Sequence, residues 1–102
     1  MDDLDARVQA FRASRENCRG LIDGFNACMR RGQDGLADPE CAALHLQQNV
    51  CVGSYVCPRE ARKVYDEDAA SPESQRALSA CVKDFYVRLK RDDAARKAAQ
   101  GR

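Results

Sequence analysis

Residues 18–28, Cys-Arg-Gly-Leu-Ile-Asp-Gly-Phe-Asn-Ala-Cys, and residues 41–51, Cys-Ala-Ala-Leu-His-Leu-Gln-Gln-Asn-Val-Cys, decide how this chain folds. Each holds two cysteines with nine residues between them. An apolar stripe at helical spacing surrounds the first pair: Leu4, Val8, Phe11, Cys18, Ile22, Phe25 and Met29, in steps of threes, fours and one seven. Cys41, Leu44 and Cys51 lie along one side of a second helical stretch. Ten positions make a three plus a seven, so both cysteines of a pair share one helix face, about 15 Å apart. A disulfide needs Cα atoms within about 7 Å, which excludes a bridge inside either helix. Facing positions in an antiparallel hairpin share one sum of residue numbers, and Cys18 with Cys51, like Cys28 with Cys41, totals 69. The other pairing, Cys18 to Cys41 and Cys28 to Cys51, demands parallel helices and a 12-residue connection that also travels back about 15 Å. The spacing therefore predicts nested bridges, each contributing about 3 kcal/mol by constraining the unfolded chain.

The rest of the chain fits around that ladder. Arg15 interrupts the first stripe, Gly20 and Gly24 weaken the middle of its helix, and Gly32 and Gly35 end it. Asp38-Pro39-Glu40 reads as a helix start: a capping aspartate, proline at the first helical position, and an acid favoured by the helix dipole. This second helix is expected to reach about Val52 and to be closed by Gly53-Ser54. Cys57-Pro58 opens a short helical turn through Tyr65, and the acidic patch Asp66-Glu67-Asp68 leads to a second capped start, Ser71-Pro72-Glu73. Leu78, Cys81, Val82, Phe85 and Leu89 then form the most regular apolar seam in the chain. From Arg88 to Arg102 there are six basic and two acidic residues, read as a helix end fraying into solvent.

No strand-like alternation occurs, so the predicted class is all-α: a disulfide-stapled antiparallel helical hairpin with an additional C-terminal helix. Residues 1–98 are expected to form one domain, with the hairpin core at about 14–55, the third helix at about 72–98, and 99–102 a flexible tail. Cys57 and Cys81 are left over. A bridge between them would pin the third helix to the hairpin; the alternatives are two buried thiols, or a redox or copper role.

Composition narrows the function. With 102 residues, no tryptophan, 6% aromatics and a mean hydropathy of −0.62, the chain cannot build a large core, and its six cysteines are the natural remedy. A net charge of +1 gives no global attraction to nucleic acid or membrane surface. The basic tail lacks interleaved aromatics past Tyr86, and no stretch approaches the roughly 18 apolar residues of a membrane span. Enzymatic motifs are missing too. There is no C-x-x-C, no phosphate-binding glycine loop, and no partner set around His45, the sole histidine. Zinc favours short spacings such as C-x2-C, which do not occur. No catalytic, metal or cofactor site is expected.

One tension remains. Six cysteines suggest an oxidising compartment, yet Met1-Asp2-Asp3-Leu4-Asp5 resembles neither a secretory signal nor an Arg-rich presequence. The two nine-residue spacings resemble the twin Cys-x9-Cys, or coiled-coil–helix–coiled-coil–helix (CHCH), family of the mitochondrial intermembrane space, over about residues 14–55. The resemblance implies the same pairing, Cys18–Cys51 and Cys28–Cys41. It also implies import without a cleavable presequence, followed by trapping through a disulfide relay. The relay would recognise Leu21, Ile22 and Phe25, which share a face with the docking cysteine. There is no Cys-Cys pair like that of the family's copper chaperone and no Cys-Pro-Cys like that of the relay oxidoreductase.

The expectation is a non-enzymatic accessory subunit or assembly factor of a respiratory-chain complex in the intermembrane space. It would bind a larger protein complex through Phe85, Tyr86 and Leu89. The alternative is a copper-handling factor for cytochrome c oxidase assembly.

Overall fold

Two proline-capped starts set the positions of the long helices. Asp38 Oδ1 accepts the Glu40 N–H at 2.9 Å, Pro39 occupies the first turn, and the helix runs Pro39–Val56. Ser71 Oγ accepts the Ser74 N–H at 3.4 Å ahead of Pro72, and the last helix runs Pro72–Gln100. The computed structural model describes residues 3–32, 34–66 and 71–101. Among them the chain is all α: α1 (Asp3–Asn17), α2 (Arg19–Arg31), a 3-10 turn (Gly35–Ala37), α3 (Pro39–Val56), α4 (Pro58–Asp66) and α5 (Pro72–Gln100). Glu67 and Asp68 of the acidic patch, and Arg102 of the tail, lie outside the described residues.

The long first helix is bent rather than continuous. Cys18 adopts φ −102° and ψ 9°, off the helical values, and separates α1 from α2. The hydrogen-bond ladder still crosses the bend, Cys18 N–H to Ser14 C=O at 2.9 Å and Ile22 N–H to Cys18 C=O at 3.0 Å. Gly20, just beyond it, lowers the local helix propensity. Ser14 takes the buried position that Arg15 was expected to interrupt. It is fully buried and donates its hydroxyl to the Phe11 carbonyl at 2.7 Å, so no polar group is stranded. Gly32 ends α2 by donating to the Cys28 carbonyl at 2.9 Å. Gly35 turns the connection at φ +55°, where a side chain would be strained.

Gly53-Ser54 does not close α3, contrary to the sequence expectation; the helix continues through both residues to Val56. Gly53 is buried against Leu78 of α5, and a Cβ there would come within 2.5 Å of Leu78 Cδ1 and 3.3 Å of Ala61 Cβ. Its role is close approach between helices rather than a helix stop. Three buried side chains, Ala61, Val64 and Leu78, gather with Cys57 at this junction of α3, α4 and α5, and Leu46, Val50 and Phe85 pack around them.

The fraying expected beyond Arg88 is also replaced. α5 stays helical to Gln100, past the boundary expected at residue 98. Leu89 is 5% exposed and Leu4 of α1 is 4% exposed. Arg7 pairs with Asp92 at 2.9 Å, and Arg96 pairs with Asp5, so α1 holds the distal half of α5. At 29 residues α5 is about 43 Å long. That length accounts for an elongated molecule of 49 × 31 × 21 Å, whose radius of gyration of 15.2 Å exceeds the roughly 13 Å of a spherical domain this size.

Candidate functional site

The six cysteines form three disulfides, and no cysteine is free. Cys18 joins Cys51 and Cys28 joins Cys41, with Cα separations of 5.9 and 5.6 Å, the two rungs expected from one antiparallel register. They clasp the α1–α2 bend and the end of α2 onto α3. Cys57 joins Cys81 at a Cα separation of 6.3 Å and fastens the start of α4 to the first third of α5. This third bridge sits in the buried cluster with Leu78 and Val64, so crosslink and apolar burial reinforce the same junction.

A carboxylate lies beside two of the bridges. Asp38 stands by Cys28 and Cys41, and Glu60 by Cys57 and Cys81. Glu60 Oε2 is 3.6 Å from Cys81 Sγ, a packing contact, because a bridged sulfur has no proton to donate. These are the residues that could hold a metal once a bridge is reduced. In the oxidised fold, both sulfurs of each set are spent on one another.

Of the residues expected to guide relay recognition, Ile22 is buried, and Leu21 and Phe25 are partly buried. Ile22 is 9% exposed, the Phe25 ring lies 5.0 Å from the His45 ring at 44°, and Leu21 borders a shallow groove with Leu46, Val50 and Tyr65. The expected partner-binding residues divide. Leu89 is buried under α1 and Phe85 packs on the core, whereas Tyr86 remains 42% exposed. A partner reaching this stretch of α5 in the folded protein meets Tyr86 and its neighbour Val87, not Leu89. The reason is α1, whose Phe11 ring lies 5.6 Å from that of Tyr86, and whose return over α5 no local pattern reveals.

Where α1, α2, α3 and α5 meet, they leave a half-open cleft of about 370 Å³. Its apolar lining comes from Phe11, Ile22, Val52, Val56, Val82 and Phe85. Its polar lining comes from Arg15, His45, Gln48, Asn49, Ser79 and Lys83, with the Tyr86 ring at the edge. Asn49 donates to Ser79 Oγ at 2.9 Å and faces His45 Nε2 at 3.5 Å, tying α3 to α5 across the floor. Gln48 Oε1 is buried and has no hydrogen-bond partner among the described residues. Sequence reading missed this cleft because its residues come from four helices; the Phe11 and Phe85 stripes indicated only that those faces were covered.

The groups with displaced titration lie elsewhere, on the α1–α5 seam. Hydrogen bonds from Arg7 and then Arg91 hold the Asp92 carboxyl below its usual range. Lys97, with Arg96 contributing, does the same for Asp93, and Asp5 raises the Arg96 guanidinium. No helix among the described residues is long and apolar enough to cross a membrane. Compared with known proteins, the chain matches no family model, no curated protein and no solved structure.

Proposed function

We propose that this protein is a disulfide-locked adaptor of the mitochondrial intermembrane space, of the twin Cys-x9-Cys kind, acting without catalysis as an accessory subunit or assembly factor of a respiratory-chain complex. One observation carries the reading: two nine-residue cysteine pairs bridge in a single nested antiparallel register. The third bridge extends the lock to α5. A surface ordered in advance by covalent links loses little freedom when a partner docks, which favours binding to a large assembly. Trapping by oxidation would also account for six cysteines that are all bridged.

The test is cellular. Cys28→Ser should abolish retention in the intermembrane space, read by fractionation and protease protection; unchanged retention would overturn the localisation. Affinity purification from mitochondria then separates the two roles. A subunit stays in the purified mature complex, whereas an assembly factor is found only with intermediates.

A second reading, copper handling for cytochrome c oxidase assembly, draws on the Cys57, Glu60 and Cys81 cluster. Reduction of that bridge would present two soft thiolates, the ligand type copper(I) prefers. Titration of the reduced protein with copper(I) decides it: absence of binding at micromolar metal removes this reading.

A further inference from the structure

The cleft has a charge character that the whole chain lacks. The protein carries 17 basic and 16 acidic residues, yet among the described residues no aspartate or glutamate lines this cleft, while Arg15, His45 and Lys83 do. Arg15 and Lys83 make no ion pair among the described residues, so no carboxylate neutralises either charge at the cleft. Arg15 instead lies over the Phe11 ring, 5.9 Å from its centre. Two uncompensated cations thus border a floor of aromatic and β-branched side chains. Gln48 adds a buried carbonyl oxygen that no group among the described residues satisfies. An orphaned acceptor of this kind is costly to keep, and a modest rotation about its broad terminal torsion would turn it toward a donor in the cleft.

These features describe one kind of occupant. Arg15 and Lys83 ask for a carboxylate, the floor asks for an apolar side chain, and Gln48 asks for an N–H. A fatty carboxylate supplies the first two and leaves Gln48 unpaired. A peptide supplies all three from adjacent groups. The volume of about 370 Å³ accommodates roughly two residues.

We propose that the cleft between α1, α3 and α5 docks an acidic peptide segment of a partner protein. An apolar side chain of the segment would lie against Phe11, Val52 and Phe85, and its neighbouring carboxylate would lie between Arg15 and Lys83. The proposal rests on the reading of this chain as an adaptor and names the chemistry of what it holds. It also gives Tyr86 a role at the edge of the cleft, in place of the broader Phe85–Leu89 surface expected from the sequence.

The experiment uses the purified, fully oxidised chain, so it does not depend on where the protein resides. Fluorescence polarisation measures binding of labelled Gly-Ser-Glu-Asp-Phe-Leu-Glu. Its neutral counterpart, in which glutamine and asparagine replace the acids, and unlabelled decanoate serve as competitors. The expected result is saturable binding of the acidic peptide, weak competition by the other two, and a loss of about tenfold or more in Arg15→Gln/Lys83→Gln. Arg62→Gln/Lys63→Gln removes the same charge from exposed α4 and should leave binding within about twofold. Intact mass and circular dichroism confirm that both variants keep three bridges and their helices. No saturable binding, equal competition by decanoate or the neutral peptide, or an equal loss in the α4 control would each overturn the proposal. Peptide binding by a chain that fails the retention test would leave this inference standing and remove the mitochondrial one.

Discussion

Two regions of this molecule are held together by different means. From Cys18 to Cys81, three disulfides tie α2, α3, α4 and the first third of α5 around a small buried cluster at Leu78, Val64 and Ala61. Outside that span, α1 and the distal half of α5 carry no cysteine. They meet through Leu4, Leu89, the Phe11–Tyr86 ring contact and the ion pairs Arg7–Asp92 and Asp5–Arg96. Crosslinks act on the unfolded chain and keep their effect even where apolar burial is thin. Ion pairs open to solvent contribute little and weaken with salt. The unbridged end should therefore open first, as a local event, while the bridged region unfolds as a unit.

The largest expected effect comes from removing a rung. Cys18→Ala/Cys51→Ala opens the longest bridged span, a separation of 33 residues, and should cost about 4 kcal/mol. Cys28→Ala/Cys41→Ala, at a separation of 13, should cost about 3 kcal/mol. Urea midpoints under non-oxidising, non-reducing conditions check both values, and the reverse order would show that native packing rather than loop closure dominates.

Core truncation sharpens the contrast. Leu78→Ala and Leu89→Ala each remove a buried leucine, costing about 2–4 kcal/mol by the usual cavity penalty. Leu78→Ala should lower the global urea midpoint. Leu89→Ala should chiefly speed hydrogen exchange in α1 and the end of α5; an equal fall in protection across α3 would merge the two regions into one cooperative unit.

Overpacking comes next. Gly53→Ala directs a methyl at Leu78, which is fully buried and has no room to yield, so destabilisation of about 1–3 kcal/mol should offset any gain in helix propensity. Thermal melts of the oxidised protein read this directly, and a raised melting temperature would mean that α3 and α5 separate easily.

The smallest effect is electrostatic. Asp92 and Asp93 are held below the usual carboxylate range by their basic partners, so their contribution is complete at neutral pH and is lost as the pH falls through that range. Arg96 is raised, so its contribution persists until well into the alkaline range. Below about pH 4, α1 amides should lose protection, after correction for intrinsic exchange, before those of α3. Arg7→Gln should mimic this loss with only a small fall in stability and remove part of its pH dependence.

Much of this architecture was legible along the chain. Cysteine spacing, the shared sum of the nested pairs and the two Ser/Asp-Pro starts are local or periodic signals, and the structure carries each of them. The failures share a cause. Gly53 looks like a helix stop until Leu78 is seen against it, Arg88 onward looks like a loose end until α1 is laid along it, and Leu89 looks available until α1 packs on α5 and it is buried. The unpaired Arg15 and Lys83 could be recognised only after four helices had converged on one cleft.

By itself, then, the sequence determined the helical class, the helix starts and the pairing of Cys18, Cys28, Cys41 and Cys51, because each follows from the fixed rise and period of a helix. The sequence left a Cys57–Cys81 bridge open beside two free thiols or a redox or copper role, and the structure has the bridge; tertiary structure alone decided that the chain bends at Cys18 so that α1 reaches α5, and that a cleft without acidic lining among the described residues forms where they meet. Those outcomes depend on how residues distant in the chain exclude or admit one another, and neither period nor composition encodes that distance.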